Sequence, residues 1–364
     1  MSGRIHVFPA WESNPYLNML YVGARSQGWQ IDGSKTVNAL ASAIPDLGRG
    51  DILHIHWTSP VLHHSDNLED ARRALERFDA LLSGLKEAGG HLIWTVHNSF
   101  AHDARYPDLE VELARLLSDK ADRIVQLNRH TREVVAGYYD LPVEKLVTLR
   151  HASYAGVYAS PPSQYSARQR LGIPASAAVV GFVGQIRRYK GVPTLLHAMG
   201  RAARSVEDLT LVLAGKTPPE DIAQIELDVP PGLPVVRDHS FISDSDIAMW
   251  FSACDVMVFP YERVLNSGSV LLSATFGRPC ILPAEPHLVA EYGDQPWVSF
   301  YEPDDDPSAA LAAAIPAALS KGDGARVSAR QYAAEYTTRH MTWDYVTIIE
   351  AAVGDAPSVS GVTR

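Results

Sequence analysis

The sequence predicts an α/β protein made of two doubly wound, Rossmann-like domains. Three observations lead there. Short apolar runs alternate with longer stretches of helical spacing from end to end, the pattern of parallel sheets covered on both faces. Two such series follow each other along the chain. The length, 364 residues, suits about two domains.

In the first series the expected strands are "RIHVF", "DILHIHW", "HLIWTVH", "DRIVQLN" and "KLVTLR". Between the second and third lies "NLEDARRALERFDALLSGLKEAGG", with acidic residues early, apolar residues at helical spacing and Gly89-Gly90 as a stop. This series gives a first domain over residues 1–160. The stretch "YASPPSQYSARQRLGIP", with Pro161-Pro162, reads as the linker. A second domain over 161–335 has strands at "AVVGFVG", "LTLVLAGK", "LPVVRDHS", "CDVMVFPY", "PCILP" and "WVSFYEP". A last helix is expected over 336–353 and a flexible polar tail over 354–364.

Bulk properties narrow the function. With 46% hydrophobic residues the chain can fill two cores, and a formal net charge of −10 argues against nucleic acid as partner. Cys254 and Cys280 lie in apolar runs and read as buried thiols in a reducing compartment. No apolar run reaches the ~18 residues of a membrane span, and "MSGRIHVFPAW" lacks a signal-peptide core, so a cytoplasmic enzyme is expected. The helix "ARRALERFDALLSGLK" with Arg123, Arg129 and Arg132 fits either a solvated face or peripheral contact with anionic lipid at the inner membrane face.

In doubly wound sheets ligands sit beyond the carboxyl ends of the strands. That rule singles out residues. Three cations, Arg187, Arg188 and Lys190, stand in "GQIRRYKG" at the exit of an apolar strand. Such a turn is either solvated or holds an anion. Lys216 and Tyr261 also end strands of the second domain. Ser267, Gly268 and Ser269 open an apolar helical run, where free N–H groups favour an anion and Ser is equally an N-cap. No Gly-x-Gly-x-x-Gly or P-loop appears.

In the first domain His56 and Trp57 end the second strand and His97 the third, with His102 and Asp103 just beyond. A strand-exit histidine can act as general base or hold a substrate hydroxyl, so His97 leads the catalytic candidates, followed by Asp103 and His102. His54 lies deeper and reads as a hydrogen-bonded core histidine, while His56 is left open. His54 and His56 have no clear third ligand, and the carboxylates of "ISDSD" and "PDDDP" read as helix N-caps, so no metal is expected. Trp11, Asn14 and Tyr16, after the first strand, suit either a sugar ring or packing of the first helix.

The combination "FVGQIRRYKGVPTLLHAM", "LTLVLAGK", "FISDSDIAMWFSACDVMVFPY" and "SGSVLLSATFGRP" resembles the donor domain of GT-B glycosyltransferases. The first half, with "HIHW", "WTVHNSFAH" and "RHASYAGVY", looks like bacterial exopolysaccharide enzymes of the xanthan-type mannosyltransferase and family-4-like groups. The resemblance implies two domains facing a central cleft. It implies a donor diphosphate held by Gly184 and Lys190, with Gln185 where an arginine is usual and Arg187 supplying the second cation. It further implies that Ser267, Gly268 and Ser269 meet the β-phosphate and that Phe241 and Ile242 pass the nucleotide base, with Lys216 and Tyr261 near base or sugar. His97 would face the transferred sugar, and Trp11, Asn14, Tyr16, His56 and Trp57 the acceptor.

One departure stands out. Retaining family-4 enzymes carry two glutamates eight positions apart; here the aligned places hold Val264 and Leu272, or with a shift of one Leu265 and Ser273, and Glu262 is out of register. The expectation is a metal-independent glycosyltransferase that uses a GDP- or UDP-sugar and no cofactor. Its acceptor would be a glycan or lipid-linked oligosaccharide in surface polysaccharide assembly, and the leaning is to inversion. The alternatives are a GT-B-fold sugar-nucleotide epimerase and a catalytically silent nucleotide-sugar-binding paralogue.

Overall fold

The computed structural model describes residues 3–99 and 104–354. Two compact units divide the chain: Met1–His151 with Thr338–Arg364, and Ala152–Thr337. The chain thus passes into the second unit ahead of Pro161-Pro162 and returns to the first for its last helix. The tail expected over 354–364 lies, apart from Gly354, outside the described residues.

The first unit holds a six-stranded sheet of β1 (Arg4–Phe8), β2 (Gln30–Gly33), β3 (Ile52–Ile55), β4 (His91–Val96), β5 (Arg123–Gln126) and β6 (Leu146–Thr148), in the order β2-β1-β3-β4-β5-β6. Every pairing is parallel. All four residues of β3 are buried, as befits a strand covered on both faces. The strand β2 has no counterpart in the sequence reading. It is a largely exposed edge with the polar sequence QIDG, so it shows no apolar run. It is fixed instead by polar bonds across to β1: His6 Nδ1 lies 2.6 Å from Asp32 and Nε2 lies 2.8 Å from the Ser34 hydroxyl.

Helices cover the sheet as the periodicity dictates. In Leu68–Glu87 the side chains of Ala71, Leu75, Phe78, Leu82 and Leu85 are buried, and Asn67 caps the start by accepting from Asp70 N. The last helix, Thr338–Val353, buries Met341, Tyr345 and Ile349 completely. Its Thr342 hydroxyl accepts from Gly23 N at 2.5 Å and donates to Leu20 O at 2.9 Å.

The second unit has its own six-stranded parallel sheet: β7 (Ala178–Val183), β8 (Leu209–Ala214), β9 (Val235–Asp238), β10 (Val256–Val258), β11 (Cys280–Pro283) and β12 (Val298–Tyr301), in the order β12-β11-β10-β7-β8-β9. All six residues of β8 are buried. Both cysteines are free and buried, and burial pushes the Cys254 thiol up to about 12. Asp306 of "PDDDP" caps the helix Pro307–Leu319 through Ala309 N.

Candidate active site

In the second unit the strand order reverses between β7 and β10. A sheet wound in both directions opens a crevice at the carboxyl ends of such a pair. The segment after β7 is Gly184–Lys190, and the one after β10 leads through Tyr261 to Ser267.

These two segments converge. Gly184 takes φ +143°, and a methyl there would lie 3.5 Å from Ser269 Oγ and 3.8 Å from Lys190 Nζ. The glycine therefore keeps open a small space walled by an ammonium and a hydroxyl. Lys190 Nζ stands 6.0 Å from the Tyr261 ring centroid, and the Tyr261 hydroxyl is 2.9 Å from Ser267 Oγ. Ser267 caps the helix Gly268–Thr275, accepting from Val270 N at 3.4 Å. The capping and anion readings are thus compatible: the serine caps a helix whose first turn carries Ser269, the hydroxyl that faces Gly184 together with Lys190 Nζ. The buried Tyr154 packs its hydroxyl against Gly268, a contact that nothing in the sequence pattern marks.

The three cations behave differently. Lys190 is half-buried, and burial, reinforced by Arg187, lowers its pKa to about 8. Arg187 is half-buried and donates to Ile186 O at 3.0 Å. Arg188 is 85% exposed and pairs with Asp221 at 3.3 Å. Just ahead of them Ile186 is an apolar anchor, with its N–H on Lys216 O. The side chains of Gln185, Lys216 and Phe241 are exposed, and Ile242 is half-buried. Leu265, Leu272 and Ser273, at the places of the absent glutamates, are buried, and the Ser273 hydroxyl donates to Arg278 O at 2.9 Å.

Gly191 closes the loop. It takes φ +68°, and a Cβ there would fall 1.9 Å from Pro260 O. Gly191→Ala is therefore expected to lower stability by more than about 1 kcal/mol, since the backbone must shift. Nucleoside-diphosphate affinity should fall with it because Lys190 is the preceding residue. Thermal denaturation and calorimetry measure the two effects.

In the first unit the strand order reverses at β1, between β2 and β3. The residues after β1, β3 and β4 form an aromatic cluster. Trp11 stacks on Trp57 at 4.6 Å and Trp57 on His97 at 4.2 Å. Tyr16 sets its edge against His97 at 5.2 Å and lies 4.9 Å from the His151 ring. Asn14 caps the helix Pro15–Leu20, its side chain accepting from Tyr16 N at 3.0 Å. A pocket beside the cluster is lined by His56, Trp57, Trp94, His97, Asn98 and Glu110.

Beneath it runs a buried polar chain. His97 Nε2 is 3.0 Å from His56 Nδ1, and His56 Nε2 is 2.7 Å from the Tyr21 hydroxyl. That hydroxyl is 2.8 Å from His54 Nδ1, which also meets Tyr345 at 2.8 Å, and His54 Nε2 is 2.8 Å from Thr95 Oγ1. Burial holds His97 and His56 well below the usual imidazole range and His54 down to about 3. All three are neutral at pH 7.

His54 is thus the hydrogen-bonded core histidine the sequence suggests, and His56 belongs with it. His102 and Asp103 lie outside the described residues. Among the described residues no three His, Cys, Asp or Glu side chains are placed to hold a metal ion. Arg123 donates to Asp122 O and Ala351 O, and Arg132 pairs with Asp140 at 3.3 Å. No described helix is long and apolar enough to cross a membrane.

Comparison with known proteins agrees with the fold. Residues 177–321 match the family described as glycosyl transferases group 1. A GDP-mannose:glycolipid 4-beta-D-mannosyltransferase of Xanthomonas campestris pv. campestris is 28% identical over 304 residues, 82% of this chain and 78% of that one. Among solved structures, sucrose-phosphate synthase of Thermosynechococcus elongatus superposes with a TM-score of 0.74 at 14% identity, covering 96% of this chain and 99% of that one. Anabaena HepE, crystallised with UDP-glucose, gives 0.71 at 13% identity, covering 96% and 100%. Residues 177–321 therefore make up a group 1 glycosyl transferase domain, and the chain is a glycosyltransferase of GT-B fold.

Proposed function

We propose that this glycosyltransferase moves a sugar from a GDP- or UDP-linked donor to a sugar hydroxyl of a lipid-linked glycan, with inversion at the anomeric carbon. The observation that carries the donor assignment is the convergence of Gly184, Lys190 and Ser269 where the second sheet reverses. In this reading the bond between the anomeric carbon and the β-phosphate oxygen breaks, and negative charge gathers on the departing diphosphate. Lys190, Arg187 and the first amides of Gly268–Thr275 meet that charge, a fixed-charge stabilisation that asks for no metal. The first unit serves the acceptor, with His97 as the base that takes the proton of the attacking hydroxyl.

Inversion is supported by two things. Both glutamate places of the retaining pattern hold other residues. The Xanthomonas relative is described as using GDP-mannose and forming a β bond on a glycolipid, and a β product from an α-linked donor is an inversion. A glycolipid acceptor would bring the working enzyme to a membrane surface as a peripheral protein.

The test is proton NMR of the first product formed from GDP-α-mannose, and from UDP-sugars, with a lipid-linked saccharide acceptor. A β anomeric bond is expected; an α bond would rule out inversion. Donor conversion that proceeds without acceptor would instead favour epimerisation.

A further inference from the structure

The second sheet carries charge at both of its edges. The candidate donor residues follow the carboxyl ends of β7 and β10. At the opposite edge, where β7, β10 and β11 begin, four guanidinium groups gather near one carboxylate. Asp255 is the residue before β10. The helix Gln164–Leu171 brings Gln164 and Arg168 to it, one turn apart, and the helix Gly322–Glu335 brings Arg326. Arg278 stands just ahead of β11, and Arg330 lies one turn beyond Arg326.

Asp255 has no capacity left. Its Oδ1 accepts from Gln164 Nε2 at 2.9 Å and from Arg326 Nη2 at 3.0 Å. Its Oδ2 accepts from Arg168 Nη2 at 2.7 Å and from Val179 N at 2.8 Å. A carboxylate offers about four lone-pair sites, so Arg278 and Arg330 must look elsewhere. Arg278 is only 7% exposed; its Nη1 donates to Cys254 O at 2.8 Å, and its Nε has no partner among the described residues. The exposed Arg330 runs along the bare Cα of Gly277, where a Cβ would fall 3.0 Å from its Cζ. It makes no hydrogen bond or ion pair among the described residues. The other carboxylate in ion-pair reach of the four is Asp323, 3.9 Å from Arg326 and 95% exposed.

Four positive charges thus face two negative ones, in a chain whose formal net charge is −10. A buried guanidinium without an anion is costly, and like charges one turn apart on a helix repel. Burial first, then Arg326 and Arg330, lower the Arg278 pKa to about 10, which leaves it charged at pH 7. A dianion would relieve all three arginines at once, and the planar guanidinium fork matches phosphate oxygens.

We propose that Arg278, Arg326 and Arg330 form a binding site for a phosphate group, free or on a lipid headgroup, at the amino edge of the second sheet. The six residues of β7 separate this edge from Gly184 by about 20 Å, so the site is distinct from the candidate donor loop and does not depend on that assignment.

Calorimetric titration with inorganic phosphate, at constant ionic strength in chloride, tests the site. Lys190→Ala serves as the parent, because it weakens phosphate binding at the donor loop. Added to that parent, Arg330→Ala should weaken phosphate binding about tenfold or more, the range for one charge-assisted hydrogen bond. Arg278→Gln should do the same. Arg330→Ala breaks no bond within the protein, so it decides the matter even if Arg278→Gln fails to fold. Arg237→Ala removes a cation of β9 that pairs with Glu226 and should change nothing.

Vesicle flotation identifies the source. Capture by phosphatidic acid vesicles over phosphatidylcholine, lost in Arg330→Ala, assigns the site to a lipid headgroup; phosphate binding without capture assigns it to free phosphate. Phosphate affinity equal in Arg330→Ala and its parent, with no Arg330-dependent capture, would overturn the proposal. So would a weak heat that acetate reproduces, which would mean an adventitious ion only.

Discussion

Lys190→Ala is expected to weaken nucleoside-diphosphate binding by about 10- to 100-fold, because a charge-assisted hydrogen bond is worth roughly 1.5–3 kcal/mol. Arg187→Ala should have an effect of the same order. Arg188→Ala should do less, since that side chain is exposed and already paired with Asp221. The pH dependence identifies the group. Burial lowers the Lys190 pKa to about 8, so its charge is present below that value and lost above it. Affinity should decline as pH rises through about 8, and the inflection should vanish in Lys190→Ala. The sign for stability is the reverse. The folded pKa lies below the unfolded one, so the unfolded chain binds the extra proton, and the lysine costs stability at neutral pH. Calorimetry with GDP and UDP checks the first effect. Unchanged affinity in Lys190→Ala would place the diphosphate elsewhere.

His97→Ala is expected to lower turnover by about 10²–10⁴, the range for loss of a general base, with donor affinity changed far less. The wild-type rate should hold from neutral pH downward until His97 protonates, which burial delays to well below the usual imidazole range. His54 adds a stability signature. Its folded pKa, about 3, is below the unfolded value, so stability present above about pH 6.5 is lost progressively as pH falls toward 3. Steady-state kinetics with donor and acceptor varied separately provide the check. Near-normal turnover in His97→Ala would pass the base role to Asp103 or His102.

Much of the fold is visible in the sequence because buried parallel strands must be apolar. The runs "AVVGFV" and "LTLVLA" coincide with β7 and β8. The edge strand β2 escapes that logic, since QIDG is held by register and by His6, not by burial. Strand exits are legible for the same reason as strands, which is how Gly184, Lys190 and His97 come to notice. What joins them is not. Tyr21 sits at the end of a short helix and Tyr345 lies 291 residues from His54, so no local spacing links them. Likewise the sequence offers three cations without saying that Lys190 faces Gly184 and Ser269 while Arg188 pairs outward. Direction depends on the turn that Gly191 allows.

The first unit is discontinuous. It is interrupted after His151 and completed only by Thr338–Val353, the last helix described. During synthesis the second unit is therefore fully emerged while the first still lacks a wall. Until that helix arrives, Leu20 O and Gly23 N wait for the Thr342 hydroxyl, and His54 lacks Tyr345. A chain stopped short of residue 338 would carry the glycosyl transferase domain intact and an unfinished first unit. The order of the chain thus makes the half that would hold the base the last to become complete.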